Sequence, residues 1–270
     1  AGPLWVDRVP NVKDGHRMPD HPTPALAAEG LVHHYPGKDR PAVDGLDLQL
    51  KDGEIFGLLG PNGAGKTTTI SILSTILRPN AGRIRVKGLD LRRNKRAIRR
   101  IIGLVPQEIA LYPLLTTREN LRFFGKLQGL KGDRLQRRID ETLAAVGLET
   151  RADEPVGTFS GGMKRRANLA AGMLHQPRIL FLDEPTVGID AQSRQLIMEQ
   201  IESLRDKGTT VLYTTHYMEE AQRLCSRVAI MDQGRILIQG NVTELLTHGP
   251  GGSDLGELFL HLTGKALRDG

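Results

Sequence analysis

Residues 60–67 read Gly60-Pro61-Asn62-Gly63-Ala64-Gly65-Lys66-Thr67 and fit the pattern G-x-x-x-x-G-K-[ST] at every position. The apolar run Ile55–Leu59 stands directly before them and predicts a buried strand. The residues from Thr67 to Leu77 follow a helical pattern that stops before Pro79. A strand, a glycine-rich turn and a helix in this order favour a phosphate-binding loop over a turn that holds no ligand.

The residue types of this loop suit the triphosphate of a nucleotide. Glycine lets backbone N–H groups turn inward around phosphate oxygens, and the N-terminus of the following helix adds partial positive charge. Lys66 can reach the β- and γ-phosphates, and the Thr67 hydroxyl can ligate Mg²⁺. We therefore expect residues 60–68, up to and including Thr68, to bind ATP together with Mg²⁺.

A second apolar strand, Ile179–Leu182, ends in the adjacent acids Asp183 and Glu184. Ligands bind at the carboxyl edge of a parallel sheet, and adjacent strand residues point to opposite sides, so each acid should have its own role. Asp183 would hold Mg²⁺, in part through water, and Glu184 would polarise the attacking water. The plainer alternative is an acidic pair at a helix start, before Pro185.

Strands alternate with helices along the chain, which predicts an α/β fold with a parallel sheet. Residues 1–24 are rich in proline and predict a flexible leader, residues 25–248 the main domain, and residues 249–270 a linker with a short C-terminal helix. Leu31–Leu50 predicts strand, turn and strand, and the pattern between about residues 108 and 176 predicts an inserted helical subdomain. Helices are predicted at 119–127, 135–146, 163–174, 192–204 and 218–224, and a hairpin at 228–239.

Charge and cysteine content limit the classes of protein that the chain can represent. The net charge of +6 is weak evidence for a nucleic-acid partner and would also suit an anionic membrane face. Arg92 to Arg100 contains six basic residues without an aromatic between them, which favours a solvated helix face over a nucleic-acid patch. The single cysteine, Cys225, forms no intrachain disulfide, and no apolar run approaches the length that spans a bilayer.

Five motifs in this order resemble the nucleotide-binding domain of ABC transporters, over about residues 25 to 265. They are GPNGAGKTT from Gly60, the Q-loop-like Val105-Pro106-Gln107-Glu108, the signature-like Phe159-Ser160-Gly161-Gly162-Met163, the run ILFLDEPTVGID from Ile179 to Asp190, and Thr214-Thr215-His216. Met163, where the family usually has Gln, and the D-loop Gly188-Ile189-Asp190 resemble the branch that serves ABC-2 type exporters, including drug-resistance systems.

This resemblance implies a P-loop NTPase (RecA-like) parallel sheet core with an N-terminal antiparallel β subdomain and an inserted α-helical subdomain. It also implies an ATPase in which ATP lies between Lys66 of one chain and Ser160, Gly161 and Gly162 of a second copy. A homodimer with two such composite sites is therefore expected.

The resemblance also implies roles for four further residues. Gln107 would contact Mg²⁺ or water and sense the γ-phosphate, and His216 would steady the γ-phosphate and the attacking water. Asp190 would cross the dimer interface and position catalytic groups. Tyr35 would stack on adenine, with a structural tyrosine as the alternative.

The expected function is ATP-driven export of an unidentified substrate through a separate integral membrane permease. The chain would then be cytoplasmic and peripheral on the inner face of the cell membrane. The apolar residues within Glu108–Phe124 are either a patch for that permease or core of the helical subdomain. A soluble ABC ATPase acting on DNA or ribosomes and a small-molecule kinase are the alternatives. We expect no nucleic-acid partner, since the chain has one P-loop and no coiled-coil insertion.

Overall fold

The computed structural model describes residues 23–248 and 254–264. Its strands are β1 (Leu26–His33), β2 (Val43–Leu50), β3 (Ile55–Leu59), β4 (Ala81–Val86), β5 (Leu89–Asp90), β6 (Ile102–Val105), β7 (Ile179–Asp183), β8 (Thr210–Thr215), β9 (Arg227–Asp232) and β10 (Arg235–Asn241). Its helices are α1 (Lys66–Leu73), α2 (Lys95–Arg99), α3 (Thr117–Leu127), α4 (Gly132–Ala145), α5 (Gly161–Met173), α6 (Ala191–Asp206), α7 (Met218–Leu224), α8 (Val242–His248) and α9 (Leu255–Thr263). The predicted leader up to residue 22 and the predicted linker at 249–253 lie outside the described residues.

The larger sheet has the strand order β10-β9-β3-β8-β7-β6 and confirms the predicted parallel core. β3 pairs in parallel with β8 and β9, β7 pairs in parallel with β6 and β8, and β10 is antiparallel to β9, as the predicted hairpin requires. Every residue of β3 and β7 is buried, which explains why their sequences are apolar without alternation. Since β8 lies between β3 and β7, the carboxyl ends of all three strands meet at one edge.

The smaller sheet is antiparallel, with the order β2-β1-β4-β5, and confirms the predicted N-terminal β unit. Its buried side chains form one hydrophobic core with Phe56 and Leu58 of β3 and with α1. The turn between β9 and β10 joins the two sheets, because Gly234 accepts the N–H of Asp44 (2.8 Å) and donates to the carbonyl of Ala64 (2.9 Å). The phosphate-loop residue Ala64 is thereby anchored to both sheets.

Helices α3, α4 and α5 lie between β6 and β7 and form the predicted helical insertion. The predicted helical pattern begins too early, because residues 106–116 form turns instead. Pro106 and Pro113 have no N–H to donate to a helix, so a continuous helix is disfavoured there. α3 starts only at the capping box in which Thr116 and Glu119 bond each other's backbone N–H.

A buried asparagine fixes the turn that precedes α3. The Asn120 side chain accepts the N–H of Tyr112 at 2.8 Å and donates to the carbonyls of Tyr112 (3.0 Å) and Thr116 (3.0 Å). Asn120 is fully buried, so these backbone groups have no water to replace it. The turn is therefore held from inside by one side chain, while its outer residues remain free to project into solvent.

We predict that Asn120→Ala lowers the free energy of unfolding by about 1–3 kcal/mol, because it leaves buried backbone groups without partners. The urea unfolding curve of the full chain measures the change. Gln128→Ala, at an exposed position just after the same helix, is the matched control and should change stability by less than about 0.5 kcal/mol. Equal effects of the two substitutions would contradict this account of the turn.

Candidate active site

The loop between β3 and α1 requires glycine at two positions where other segments approach closely. A Cβ on Gly60 would lie 2.2 Å from the carbonyl oxygen of Met231, and one on Gly65 would lie 2.3 Å from that of Ala42. Gly65 also adopts a φ of 108°, in the region that side chains disfavour. The loop is thus compressed against β9 and the residues before β2, which fixes its backbone at the N-terminus of α1.

Lys66 is buried inside this loop and is surrounded by oxygen atoms. Its side chain is 4% exposed, and Nζ donates to the carbonyls of Gly60 (2.8 Å) and Pro61 (3.2 Å). The Nζ atom also forms an ion pair with Glu184 Oε1 at 3.0 Å. The loop therefore presents a cation whose charged partner comes from the end of another strand.

Asp183 lies at the end of β7, next to the start of α1. Its Oδ1 accepts hydrogen bonds from Thr214 Oγ1 at 2.8 Å and from Thr67 Oγ1 at 3.3 Å. Burial raises the pKa of Asp183, and the hydrogen bonds from Thr214 and Thr67 counteract part of this shift. The structure thus brings together Thr67 and Asp183, two of the three residues that are predicted to contact Mg²⁺.

Glu184 leaves the strand through a left-handed backbone conformation, with a φ of 47°. Its N–H donates to Thr214, whose carbonyl lies at 3.2 Å and whose Oγ1 lies at 3.1 Å. Its carboxylate lies between two basic groups, with Oε1 on Lys66 and Oε2 at 3.2 Å from His216 Nδ1. Lys66, Glu184 and His216 therefore meet at the carboxyl edge of the sheet, with Glu184 in contact with both basic residues.

Tyr35 and Gln107 occupy exposed positions around this group. The Tyr35 hydroxyl lies 3.3 Å from Thr68 Oγ1, and its ring packs edge-on against His33 with 4.7 Å between centroids. The Gln107 side chain has no described hydrogen bond, but its carbonyl accepts from the Arg165 guanidinium of α5. Burial lowers the pKa of Arg165, and the nearby Glu184 carboxylate opposes that shift. Arg165 was not predicted as a site residue.

Ser160, Gly161 and Gly162 begin α5 at a separate place. Ser160 Oγ accepts the N–H of Met163 at 3.2 Å and caps the helix, as its position predicts. Ser160 and Gly161 are exposed, and among the described residues no hydrogen bond or ion pair joins this segment to residues 60–68. One copy of the chain therefore does not bring its two predicted anion sites together.

The start of α5 instead contacts the start of α6. A Cβ on Gly162 would lie 2.0 Å from Ser193 Oγ, so the two helix ends touch. Asp190 caps α6, since its Oδ1 accepts the N–H of Ser193 at 2.8 Å. The signature-like segment and the D-loop segment therefore form one packed unit.

Behind His216, a buried carboxylate that the sequence did not single out connects several elements. Glu220 Oε2 accepts hydrogen bonds from the hydroxyls of Tyr213 (2.6 Å), Thr186 (2.7 Å) and Thr215 (3.3 Å). Its Oε1 lies 3.3 Å from Arg194 Nε of α6. Burial, followed by the Glu220 charge, raises the pKa of Tyr213 well above its usual value, so the phenol remains a donor. The position of Glu220 within the sequence of α7 does not indicate this role, because its hydroxyl partners come from other elements.

Comparison with known proteins establishes the family. The model of the family described as ABC transporter matches residues 43–187, which is more than half of the chain. The chain belongs to the ABC transporter family. It is an ATPase that binds ATP, as the ATP-binding domains of this family are.

The linearmycin resistance ATP-binding protein of Bacillus subtilis is 50% identical over 220 residues, covering 82% of this chain and 70% of the relative. The Nod factor export ATP-binding protein I of Ralstonia nicotianae is 43% identical over 226 residues, covering 84% and 70%. A dimeric ATP-binding cassette in a post-hydrolysis state, solved with ADP and Pi, superposes with a TM-score of 0.74 at 25% identity, covering 84% of this chain and 100% of that chain. The fold and the family resemblance of the sequence are thereby confirmed.

Glu220→Gln is expected to lower the ATP turnover number of this ATPase about 10-fold while leaving the KM for ATP unchanged. The Thr215 hydroxyl donates to Glu220 and also accepts the N–H of Tyr217 at 2.9 Å. The backbone on both sides of His216 therefore depends on this hydroxyl. Glu219→Gln, an exposed neighbour on the same helix, is the control. If Glu220→Gln lowers stability but not turnover, the carboxylate supports the fold alone.

Proposed function

We propose that two copies of this chain enclose and hydrolyse Mg-ATP to power export through a separate membrane subunit. The observation that carries the proposal is the division of the site within one chain. Lys66, Asp183, Glu184 and His216 converge at the edge of the sheet, whereas the start of α5 stands exposed elsewhere. An enclosed triphosphate therefore requires the α5 terminus of a second copy.

The phosphate loop fits the triphosphate of ATP. Its backbone is fixed by the close approaches at Gly60 and Gly65, and the N-terminus of α1 directs N–H groups toward a bound anion. Tyr35 holds an exposed ring beside Thr68, which suits stacking on adenine. The loop would bind the β- and γ-phosphates through Lys66, as the sequence predicts.

Thr67, Asp183 and Gln107 would hold Mg²⁺. Thr67 and Asp183 share a hydrogen bond, so a hydroxyl oxygen and a carboxylate oxygen lie close enough together to ligate one ion. The other ligands of the ion would be phosphate oxygens and water, since Mg²⁺ keeps much of its hydration. When bound, Mg²⁺ neutralises charge on the phosphates.

Glu184 would act as the base for the attacking water. In this structure its Oε1 neutralises Lys66, so a triphosphate that binds Lys66 would release the carboxylate for water. The water oxygen forms a bond to the γ-phosphorus, the bond to the β–γ bridging oxygen breaks with its electron pair leaving on ADP, and Glu184 accepts the water proton. His216 would orient Glu184 through the 3.2 Å contact and steady the γ-phosphate.

The second copy would supply Ser160, Gly161 and Gly162. α5 is 13 residues long, Ser160 and Gly161 at its start are exposed, and Ser160 caps the N–H of Met163, so the positive end of the helix is available to an anion. Asp190 is exposed beside them and would cross the interface with them. The structural relative bound to ADP and Pi is a dimer, which supports this arrangement.

The surface for a membrane subunit would lie next to the helical insertion. Tyr112 and Leu114, on the outside of the turn that Asn120 holds, are 50% and 90% exposed. Leu111 packs against the core, so the patch that we propose for the permease consists of Tyr112 and Leu114 alone. A groove of about 250 Å³ lies nearby, lined by residues that include Phe124, Gln128, Pro106, Arg99 and His175.

No described helix is long and apolar enough to cross a membrane. The proposed membrane subunit is a separate chain. The chain would then be peripheral on the inner face of the cell membrane. The names of the linearmycin resistance and Nod factor export relatives support the export direction and leave the substrate of this chain open.

Glu184→Gln is expected to lower ATP turnover by about 10²–10⁴-fold while ATP binding is retained, because the base is lost and the phosphate loop is not. The trapped ATP should shift the protein from monomer to dimer in size-exclusion chromatography with light scattering. Glu199→Gln, an exposed acid of α6, is the control. A Glu184→Gln protein that binds ATP and stays monomeric rules out the shared site.

Tyr112→Ser with Leu114→Ser is expected to abolish co-purification with an integral membrane protein from detergent extracts, with ATP turnover of the isolated chain unchanged. Leu237→Ser, at another exposed apolar position on β10, is the control for lost apolar surface. Stimulation of turnover by DNA or ribosomes, without a membrane partner, would instead support the soluble alternative.

A further inference from the structure

The positive charge of this chain is concentrated in one short segment. Residues 92–100, the basic segment, contain six Lys and Arg residues and no Asp or Glu. The net charge of the whole chain is also +6, so the other residues together are formally neutral. A surface that carries the entire excess charge creates a local potential that the average composition does not reveal.

All six basic side chains are exposed: Arg92, Arg93, Lys95, Arg96, Arg99 and Arg100. Within the described part of the chain, no carboxylate lies within ion-pair distance of any of them. Asp90, the acid that precedes the segment in the sequence, bonds to the backbone, since its Oδ1 accepts the N–H groups of Arg92 and Arg93, both at 3.0 Å. Arg92 donates to the carbonyl of Gly82 and Arg99 donates to Thr75, but within the described residues none of the six charges has an anionic partner.

The segment is nevertheless well positioned by the fold. Ile98 of α2 is fully buried and anchors the helix in the core shared with β6. Asn94 Nδ2 donates to the carbonyl of Asp90 at 3.1 Å, and Arg99 Nε donates to Thr75 Oγ1 at 2.7 Å. The backbone of the segment is therefore positioned by the fold, so only the exposed side chains need to be ordered when a partner binds.

The basic segment borders the groove that lies near the proposed surface for the membrane subunit. Arg99 lines this groove together with Phe124 and Gln128 of the helical insertion. A subunit docked beside this groove would lie next to Arg99 of the basic segment. The segment itself contains no aromatic side chain on which a base could stack, which disfavours single-stranded nucleic acid.

We propose that the basic segment binds the anionic phospholipid headgroups of the membrane that holds the permease. This inference rests on the proposed function for the placement of the groove. It adds a direct lipid contact to attachment through the subunit, and two linked contacts hold a protein more firmly than either alone. The attraction is electrostatic between exposed charges, so it weakens as the Debye length falls below about 10 Å with added salt.

The test measures binding of the full chain to sedimented vesicles of phosphatidylcholine with and without phosphatidylglycerol. The variant Arg93→Gln, Lys95→Gln, Arg96→Gln, Arg100→Gln removes four charges whose side chains have no described contact. The matched control Lys126→Gln, Lys131→Gln, Arg134→Gln, Arg137→Gln removes four exposed charges from the helical insertion. We expect the unmodified chain to bind the vesicles that contain phosphatidylglycerol and not the vesicles of phosphatidylcholine alone. The affinity of the segment variant for the anionic vesicles should fall about 10- to 1000-fold, and that of the control should change little.

Several results would overturn the inference: no binding to anionic vesicles, equal loss in both variants, or binding that persists in about 0.5 M salt. Tighter binding of a short RNA duplex than of vesicles at equal phosphate concentration would make the segment a nucleic-acid site. ATP turnover in solution should be the same in both variants and the unmodified chain, which shows that they are folded. If the chain does not bind vesicles but still co-purifies with the permease, the lipid contact is ruled out and the proposed function is unaffected.

Discussion

The ion pair between Lys66 Nζ and Glu184 Oε1 is the contact on which the geometry of the site depends. Both side chains are almost fully buried, and removing two charges from water costs several kcal/mol for each ion. The cost is offset because the carbonyls of Gly60 and Pro61 complete the surroundings of the amine. The pair exists because β3, β8 and β7 are neighbours in parallel register, so that a loop residue and a residue 118 positions later meet at one edge.

β8 organises the site on both of its faces. Thr214 bonds Asp183 and the backbone of Glu184, on the side of the phosphate loop. Tyr213 and Thr215, which point the other way because side chains alternate along a strand, bond Glu220. One central strand therefore ties the acids that face the nucleotide site to the helix that follows His216.

The sequence was sufficient to predict those elements that depend on the pattern of neighbouring residues. The buried strands β3 and β7 follow from uninterrupted apolar runs, and the phosphate loop follows from its glycine and lysine spacing. Features set by distant contacts could not be predicted. α1 ends at Leu73 rather than at the predicted Leu77, and Thr75 just beyond it has a left-handed φ of 71°. The burial of Glu220 is stabilised by three hydroxyls from two other segments, β8 and the loop after β7, so the sequence of its own helix does not indicate it.

The contact between Gly162 and Ser193 leaves no space for even one methyl group between α5 and α6. The start of α5, the last helix of the insertion, is thus packed tightly against the start of α6, although the two are about 30 residues apart. In a chimera that took α3–α5 from another family member, the contact between α5 and α6 would be mismatched unless Ser193 and Asp190 were exchanged as well. The unit of exchange in this fold is therefore larger than the insertion that the chain order suggests.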